Sequence, residues 1–252
     1  MKYLVGDIGN TLTKITLLND KFKIIRSKSI ETNKLYKKKY LLFFLKNFLI
    51  KNINRKILFS SVVPPIYKNI KSYLQVKKYK THEIKELKVS KMIKLNIDNF
   101  KQIGSDRIAN AIGAYYLYKK DCLIVDFGTA TTFDVVKKPG IYDGGVIAPG
   151  IKLSIINLNK STALLPLINL KSNAKSYGRN TEDALNSGFL WGYKGLINSI
   201  IDKIISSSNF KYKVILTGGY SRLFKKHIKK KSIIDDNITV KGIIKVYKDL
   251  LL

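Results

Sequence analysis

Two short segments of this chain repeat the same local design. DIGNT, at residues 7–11, and DFGTATT, at residues 126–132, each follow an apolar run and precede an alternating, threonine-rich run. An apolar run, a turn rich in Asp and Gly, and a second alternating run together predict a β-hairpin. Because one chain of 252 residues contains this hairpin twice, we expect two related lobes.

Strand and helix patterns alternate in both halves of the chain. The first half has helix patterns at residues 35–50, 66–74 and 103–119 and an apolar strand pattern at residues 56–63. The second half has a glycine-rich segment at 142–151, a helix at 153–165, a long helix from Asn180, a strand at 214–219 and a lysine-rich C-terminal helix. The long helix is expected to turn five apolar residues inward: Leu185, Phe189, Leu196, Ile200 and Ile204. The alternation predicts an α/β fold, with lobes at residues 1–115 and 116–252.

The formal net charge of +30 at pH 7 raises the possibility of a nucleic-acid partner. Nearly all of this charge is lysine spread along the chain, whereas arginine is the residue preferred for bidentate recognition of bases and phosphates. We therefore predict solvated lysine faces and no specific nucleic-acid partner. Polyanion binding remains the alternative interpretation.

No window of the sequence has the uninterrupted apolar length of a membrane span, and the N-terminus reads directly into a strand pattern. The most apolar segment, residues 40–50, is broken by Lys46 and Asn47, which favours a core helix over an interfacial membrane helix. One cysteine, Cys122, and two histidines exclude a disulfide framework and a Cys/His metal cluster. We expect no membrane partner and a cytoplasmic location.

The DIGNT turn has the residue types of a phosphate site. Gly9 allows a phosphate to approach the backbone, the turn amides and the Thr11 hydroxyl are donors, and Asp7 can hold a cation or its water. A structural Asx-type turn is the alternative for a single copy, but the duplication favours a nucleotide held between lobes. The chain has no GxxxxGK[ST] loop and no GxGxxG at the start of a helix.

A third glycine segment follows the last apolar strand pattern. VILTGGYS places Gly218 and Gly219 at the end of this strand, where a double glycine leaves room for a flat base or ribose against the backbone. A plain strand-to-helix turn is the alternative. Asp134, at the end of TTFD, is predicted to be a structural carboxylate.

The segments DIGNT, IGSDR, DFGTATTFD, GGVIAPGI, GRNT and TGGYS, in this order, resemble the type III pantothenate kinases. This family belongs to the acetate and sugar kinase, chaperone and actin superfamily, and the resemblance spans nearly the whole chain. It implies two lobes of actin-like ATPase (ribonuclease H-like) topology, each with a mixed sheet, and a cleft between them. It also implies ATP-dependent phosphorylation of the primary hydroxyl of pantothenate, the first step of coenzyme A synthesis.

The resemblance assigns the nucleotide and cation contacts. The threonine of DFGT, Thr129, would contact ATP, and Asp126 would hold a monovalent cation, K⁺ or NH₄⁺. Asp7 would tether Mg²⁺. The family's ATP phosphate segment falls on Asp7, Ile8, Gly9, Asn10, Thr11, Leu12, Thr13 and Lys14.

The resemblance also assigns the pantothenate contacts to Gly104, Ser105, Asp106 and Arg107, with Asp106 as the catalytic base. Thr181 would contact pantothenate from the neighbouring subunit of a homodimer, so the active site would be shared across the interface. Both segments have a structural alternative. Ser105 and Asp106 suit the start of a helix, and so do Thr181 and the acidic residues after it.

Two positions depart from the family pattern. Ile97 stands where members commonly have a pocket tyrosine, and Phe100 where they commonly have a proline. Ile97 keeps open a kinase of the same fold that acts on another small alcohol. The abundant lysines keep open a basic, non-enzymatic regulator that binds nucleic acid, with the ATP fold retained as a scaffold.

Overall fold

The structure is a computed structural model that describes residues 1–252. It contains eleven β-strands and seven α-helices. The strands are β1 (Lys2–Ile8), β2 (Leu12–Leu18), β3 (Ile24–Glu31), β4 (Ile53–Ser61), β5 (Lys80–Glu83), β6 (Lys94–Leu95), β7 (Cys122–Phe127), β8 (Ala130–Lys137), β9 (Ile141–Pro149), β10 (Lys213–Gly218) and β11 (Ser232–Ile234). The helices are α1 (Lys38–Lys46), α2 (Pro64–Val76), α3 (Ser105–Tyr118), α4 (Ile151–Lys160), α5 (Thr181–Ser206), α6 (Ser221–Lys225) and α7 (Ile238–Leu250).

The two sheets are mixed and share one arrangement of strands. The first has the order β3-β2-β1-β4-β5, with β1, β2 and β3 antiparallel and β1, β4 and β5 parallel. The second has the order β11-β10-β7-β8-β9-β6, in which β7 and β8 are antiparallel and β7, β10 and β11 are parallel. Each predicted hairpin therefore sits beside two parallel strands. This confirms the α/β class and the two related lobes.

The chain divides into two compact units at positions that differ from the expected boundary. The first unit contains residues 1–119, 138–142 and 237–252, and the second contains residues 120–137 and 143–236. The sequence-based division assigned the whole C-terminal segment to the second lobe. Helix α7 instead packs on α3, where a Cβ on Gly113 would lie 2.5 Å from the Ile238 carbonyl oxygen. The small residues on both helices allow their backbones to approach closely.

The first sheet has a different covering on each face. Leu4, Ile8 and Phe59 belong to an apolar core that includes residues of α1 and α2. The opposite face carries Tyr3, whose ring centroid lies 5.4 Å from that of Tyr247 on α7. Since side chains alternate along a strand, Asp7 lies on the same face as Tyr3, the face that α7 covers.

Helix α5 buries a different stripe from the one expected. The residues predicted to face inward do pack against the core, but they are only partly buried. They are Leu185, Phe189, Leu196, Ile200 and Ile204. The buried stripe contains Leu190, Ile197 and Ile201 together with polar Asn186 and Asn198. These amides are satisfied: Asn186 accepts from the Lys171 amide and Asn198 from the Lys229 amide, both at 2.8 Å. Because the Asn186 and Asn198 side chains are bonded to loop amides, the face of α5 that carries them is turned toward the core in place of the most apolar face.

The apolar segment at residues 40–50 forms a shorter helix than expected. Residues 32–36 make a 3₁₀ turn, and α1 ends at Lys46. Leu41, Phe44 and Leu45 are buried, which confirms a core helix, although Phe43 is 71% exposed. Cys122 is buried and unpaired, and no helix of the protein has the length and apolar character needed to cross a membrane.

Candidate active site

The first hairpin has a three-residue turn, and an aspartate and a lysine stand opposite each other in the strands beside it. Asp7 and Lys14 face each other across β1 and β2. The turn is closed by the Gly9 amide, which donates to the Leu12 carbonyl at 3.0 Å, and it leaves Asn10 and Thr11 exposed. The turn therefore offers a carboxylate, an ammonium group and exposed backbone at one end of the sheet, the donor set expected for a phosphate chain and its metal.

A buried threonine supports this turn. The Thr32 hydroxyl donates to the Gly9 carbonyl oxygen at 2.7 Å and lies 3.0 Å from the Thr13 hydroxyl. Sequence reasoning missed Thr32, because nothing local marks a residue that follows β3 as a partner of the first turn. Ile8 and Thr13 are fully buried, so the structure exposes neither residue to a nucleotide, and their contact with ATP stays a prediction.

The second hairpin repeats the first with a shorter turn. Asp126 faces Thr132 across β7 and β8, and the Gly128 amide donates to the Ala130 carbonyl at 3.1 Å. Thr129 is exposed at the tip. The predicted cation residue, Asp126, therefore lies near the end of β7, and the predicted nucleotide residue, Thr129, lies in the turn that follows this strand.

The double glycine after β10 adjoins this second turn. Strand β10 pairs with β7, so Gly218 lies opposite Phe127. Gly218 has φ +84°, and a Cβ there would lie 2.6 Å from both the Asp126 Oδ1 atom and the Phe127 carbonyl oxygen. The Gly219 amide donates to the Phe127 carbonyl at 3.0 Å. Only glycine fits at position 218, because a side chain there would displace the Asp126 carboxylate.

The start of α3 lies at the same end of the first sheet as Asp7. The amide of Val62, just after β4, donates to the Ile8 carbonyl at 3.0 Å. The Val62 side chain lies 3.3 Å from the position that a Cβ on Gly104 would take. The structure therefore places the DIGNT turn and the GSDR segment at the same end of the first sheet, both beside Val62.

Asp106 is held in the first turn of α3. Its Oδ1 atom accepts a hydrogen bond from the Arg107 amide at 2.8 Å. Burial raises the pKa of the Asp106 carboxyl group, and the Arg107 amide and charge oppose this rise only in part. The Arg107 guanidinium lies 5.8 Å from the ring centroid of Tyr142. The site therefore holds a carboxylate with a raised proton affinity beside a cation.

Thr181 is the first residue of α5, in the second unit. The helix is capped by Asn180, whose side chain accepts from the Asp183 amide at 2.8 Å. Lys175, 3.1 Å from Asp183, lowers the pKa of that carboxyl group. Thr181 is exposed and lines a groove of about 630 Å³ between α4 and α5. The segment is thus a helix start, and the substrate contact of Thr181 remains a prediction.

The acidic residues of the two turns do not form a complete metal site by themselves. No group of three or more His, Cys, Asp or Glu residues could hold a metal ion in this structure. Asp7 could bind Mg²⁺ only if phosphate oxygens and water completed the coordination, the arrangement usual for nucleotide-borne magnesium. Asp134 is fully buried within β8, as expected of a structural carboxylate.

Sequence comparison relates this chain to the type III pantothenate kinases. A family model described as type III pantothenate kinase matches residues 3–203. A relative from Pelagibacter ubique (strain HTCC1062), named Type III pantothenate kinase, is 47% identical over 247 residues, covering 96% of this chain and 97% of the relative.

Solved structures agree with the fold. A Campylobacter jejuni protein proposed to be a Baf family transcriptional activator has a TM-score of 0.62 at 22% identity, covering 98% of each chain. A Listeria monocytogenes protein proposed to be an N-acetylmannosamine kinase has a TM-score of 0.56 at 15% identity, covering 98% of this chain and 99% of that one. These likenesses concern the fold alone. From the family model and the Pelagibacter relative, the chain belongs to the type III pantothenate kinase family.

Proposed function

We propose that the protein transfers the γ-phosphoryl group of ATP to the primary hydroxyl of pantothenate, giving 4′-phosphopantothenate for coenzyme A synthesis. One structural observation carries the proposal beyond family membership. Val62 connects the Asp7 strand to the start of the Asp106 helix, through its hydrogen bond to Ile8 and its contact at Gly104. A phosphate site and a carboxylate base at one sheet end are what in-line phosphoryl transfer requires.

Asp106 is the proposed catalytic base. It would accept the proton of the pantothenate hydroxyl as the oxygen attacks the γ-phosphorus. A raised pKa brings the carboxylate closer to the operating pH, where proton transfer is most effective. Arg107, beside it, would pair with the substrate carboxylate through its guanidinium.

The first turn is the proposed phosphate site. The backbone amides of Asn10 and Thr11 and the Lys14 ammonium would offset charge on the phosphates, and Asp7 would hold Mg²⁺ directly or through water. Magnesium, when bound, neutralises negative charge that develops on the transferred phosphoryl group. Aligning the reactants and stabilising charge is most of what the protein must supply.

The second turn is proposed to contact ATP through Thr129 and to hold a monovalent cation at Asp126. Its donor set fits such an ion, since the Asp126 carboxylate and the Phe127 carbonyl oxygen both approach Gly218. Carboxylate and carbonyl oxygens are suitable ligands for K⁺. We also propose that the protein works in the cytoplasm, which agrees with its unpaired Cys122.

We further propose a homodimer built on α5. The exposed face of this helix carries a stripe of small residues, and the groove along it is also lined by Leu158 and Leu165. The stripe, which we call the α5 small face, comprises Thr181, Ala184, Gly188, Gly192, Gly195 and Ser199. Small side chains let a second helix approach closely. Thr181 lies at one end of this face, which supports a contact with pantothenate bound to the partner subunit.

The dimer is tested by replacing a glycine at the centre of the α5 small face. A Cβ on Gly192 would contact nothing within 4 Å, so Gly192→Glu should leave the monomer folded and even favour the helix. We expect light scattering to show a dimer for the wild type and a monomer for Gly192→Glu, with reduced turnover of pantothenate. A wild-type monomer at working concentration would remove the dimer from the proposal.

The catalytic proposal is tested by coupled ADP detection with pantothenate and a panel of small alcohols. We expect ADP and phosphopantothenate in equal amounts with pantothenate, and loss of both in Asp106→Asn. The half-buried Ile97 motivates the panel, because it stands where relatives are expected to have a tyrosine. Faster turnover of another alcohol would favour a different acceptor, and no turnover in the wild type would contradict the kinase assignment.

A further inference from the structure

The last residue of β5 is hydrogen-bonded to the last residue of β4, near the start of α3. Glu83, the last residue of β5, is buried, and its carboxylate accepts hydrogen bonds from the Lys85 amide at 2.7 Å and the Ser61 amide at 3.3 Å. Ser61 is the last residue of β4 and pairs with Ile8, next to Asp7. The Glu83 carboxylate therefore binds the backbone at the end of the strand that adjoins the phosphate turn.

The turn that follows Glu83 packs against α3. Residues Ile84–Glu86 form a 3₁₀ turn that contacts both β4 and α3. The Lys85 amide, which donates to the Glu83 carboxylate, belongs to this turn. Glu83 therefore holds a turn that lies against the helix of the proposed base.

Lys85, two residues further along, holds the loop that leads into α3. Its Nζ atom donates to the carbonyl oxygens of Lys101 at 2.9 Å and Ile103 at 3.0 Å. It also lies 5.5 Å from the ring centroid of Phe100, the residue that stands in place of the expected proline. A lysine that binds two carbonyls and an aromatic ring restricts the loop at residues 100–103.

We propose that Glu83 and Lys85 are positioning residues that fix the first turn of α3, and with it Asp106, against the phosphate end of β1 and β4. Glu83 fixes the turn at residues 84–86 to the end of β4, and Lys85, in that turn, holds the loop that leads into the helix. This inference rests on the proposed function, because it takes Asp106 as the base. Neither residue is proposed to touch substrate.

The physical reason is the narrow tolerance of phosphoryl transfer. The base must meet the substrate hydroxyl at hydrogen-bonding distance while that hydroxyl is in line with the phosphorus, and a displacement of about 1 Å can cost on the order of 100-fold in rate. Catalytic side chains need neighbours that lock their geometry. Glu83 and Lys85 supply fixed partners to a helix start that has no side-chain cap of its own.

The test compares Glu83→Gln and Lys85→Met with matched controls in the same turn. In Glu83→Gln one carboxylate oxygen becomes an NH₂ group that cannot accept from the Ser61 or Lys85 amide. We expect kcat to fall about 10- to 100-fold with KM for ATP changed less than about twofold. For Lys85→Met we expect KM for pantothenate to rise several-fold, and Lys85→Arg, which keeps donors at this position, to restore much of the loss.

The controls are Glu86→Gln and Lys71→Met. Glu86 accepts from the Glu83 amide at 3.1 Å and pairs with Lys71 at 3.5 Å, so it belongs to the same turn but its carboxylate is directed to β5 and α2. Both controls should keep kcat within about threefold of the wild type at a similar loss of Tm. Equal kcat in Glu83→Gln and Glu86→Gln, at equal Tm, would overturn the positioning role.

Amide hydrogen exchange gives a second measurement that does not depend on activity. We expect faster exchange at residues 104–108 in Glu83→Gln and Lys85→Met than in the wild type or the two controls. If the wild type fails to phosphorylate pantothenate, the proposed function is wrong, whereas unchanged exchange and kcat in both variants contradict only the positioning role. If Glu83→Gln does not fold, Lys85→Met and its control decide the question.

Discussion

The two hairpins share a topology and differ in what supports their turns. The first turn is supported by a hydrogen bond, since Thr32 donates to the Gly9 carbonyl, and it sets a lysine opposite its aspartate. The second turn is enclosed by close backbone contacts, with Gly218 against the Asp126 carboxylate. The first arrangement leaves an open, partly cationic turn, whereas the second confines a carboxylate. The difference supports two different tasks for DIGNT and DFGT, which we propose to be phosphate contact in one lobe and cation binding in the other.

The largest expected effect is a loss of kcat, and it should be greater when the proposed base, Asp106, is replaced than when Asp126 is replaced. Asp106→Asn removes the proton acceptor and should lower kcat by about 100- to 10,000-fold. Asp126→Asn should cost less, about tenfold, because it weakens only an auxiliary cation, and added K⁺ should recover part of the loss. Steady-state kinetics with pantothenate measure both. If the Asp126 variant lost more activity than the Asp106 variant, the assignment of tasks to the two lobes would be reversed.

A second experiment addresses how the second turn is confined. Gly218→Ala places a methyl group 2.6 Å from the Asp126 carboxylate at φ +84°, and we expect a loss of about 3 kcal/mol or more in the free energy of unfolding. Gly219→Ala is the matched control, because a Cβ there meets nothing within 4 Å. Urea unfolding measures both variants. Equal stability of the two would show that the contact at Gly218 is relieved by a small shift.

A smaller change is expected when the hydrogen bond at the first turn is removed. Thr32→Val keeps the side-chain shape but leaves the Gly9 carbonyl and the buried Thr13 hydroxyl without this partner, so we expect a loss of about 1–2 kcal/mol in unfolding free energy. Thr32→Ser retains the hydroxyl and should lose less. A higher KM for ATP in the valine variant would show that losing the hydrogen bond also weakens ATP binding at the first turn. If Thr32→Val were as stable as Thr32→Ser, the hydrogen bond from Thr32 would not be what stabilises this turn.

The smallest expected effect is on pH dependence. Burial raises the pKa of Asp106, so the protonated form stabilises the fold at low pH, and this stabilisation is lost as the pH rises through the raised pKa. At neutral pH, Asp106→Asn should therefore have a Tm a few degrees above that of the wild type, and the difference should vanish in acid.

Activity should show the opposite dependence, because the base works only when deprotonated. We expect kcat/KM to fall as the pH drops through a value above the ordinary aspartate pKa of about 3.9. An acidic limb at or below that value would contradict the raised pKa.

Most of the architecture could be predicted from the sequence, because it depends on local patterns. The hairpins, the strand before Pro64 and the helix after Gly104 follow from apolar periodicity and turn residues. The helix that starts after Asn180 follows from its capping pattern.

What the sequence concealed depends on contacts between distant residues. The buried stripe of α5 is rotated because Asn186 and Asn198 bond to loops. Thr32 and Glu83 support the site through partners more than twenty residues away, and no local pattern reports this. The pattern HEIKE at residues 82–86 did contain a capping signal, in which Glu86 pairs with the Glu83 amide, but it indicates a turn and not a site.

The packing of α7 against α3 makes the first unit discontinuous in sequence. Helix α3 carries the proposed base, yet its neighbour α7 follows the second unit in the chain. During synthesis, part of the apolar surface of the first unit therefore stays uncovered until residues 238–250 have been made, by which point residues 143–236 are already present. A chain interrupted before α7 should contain a folded second unit and an unfinished first one.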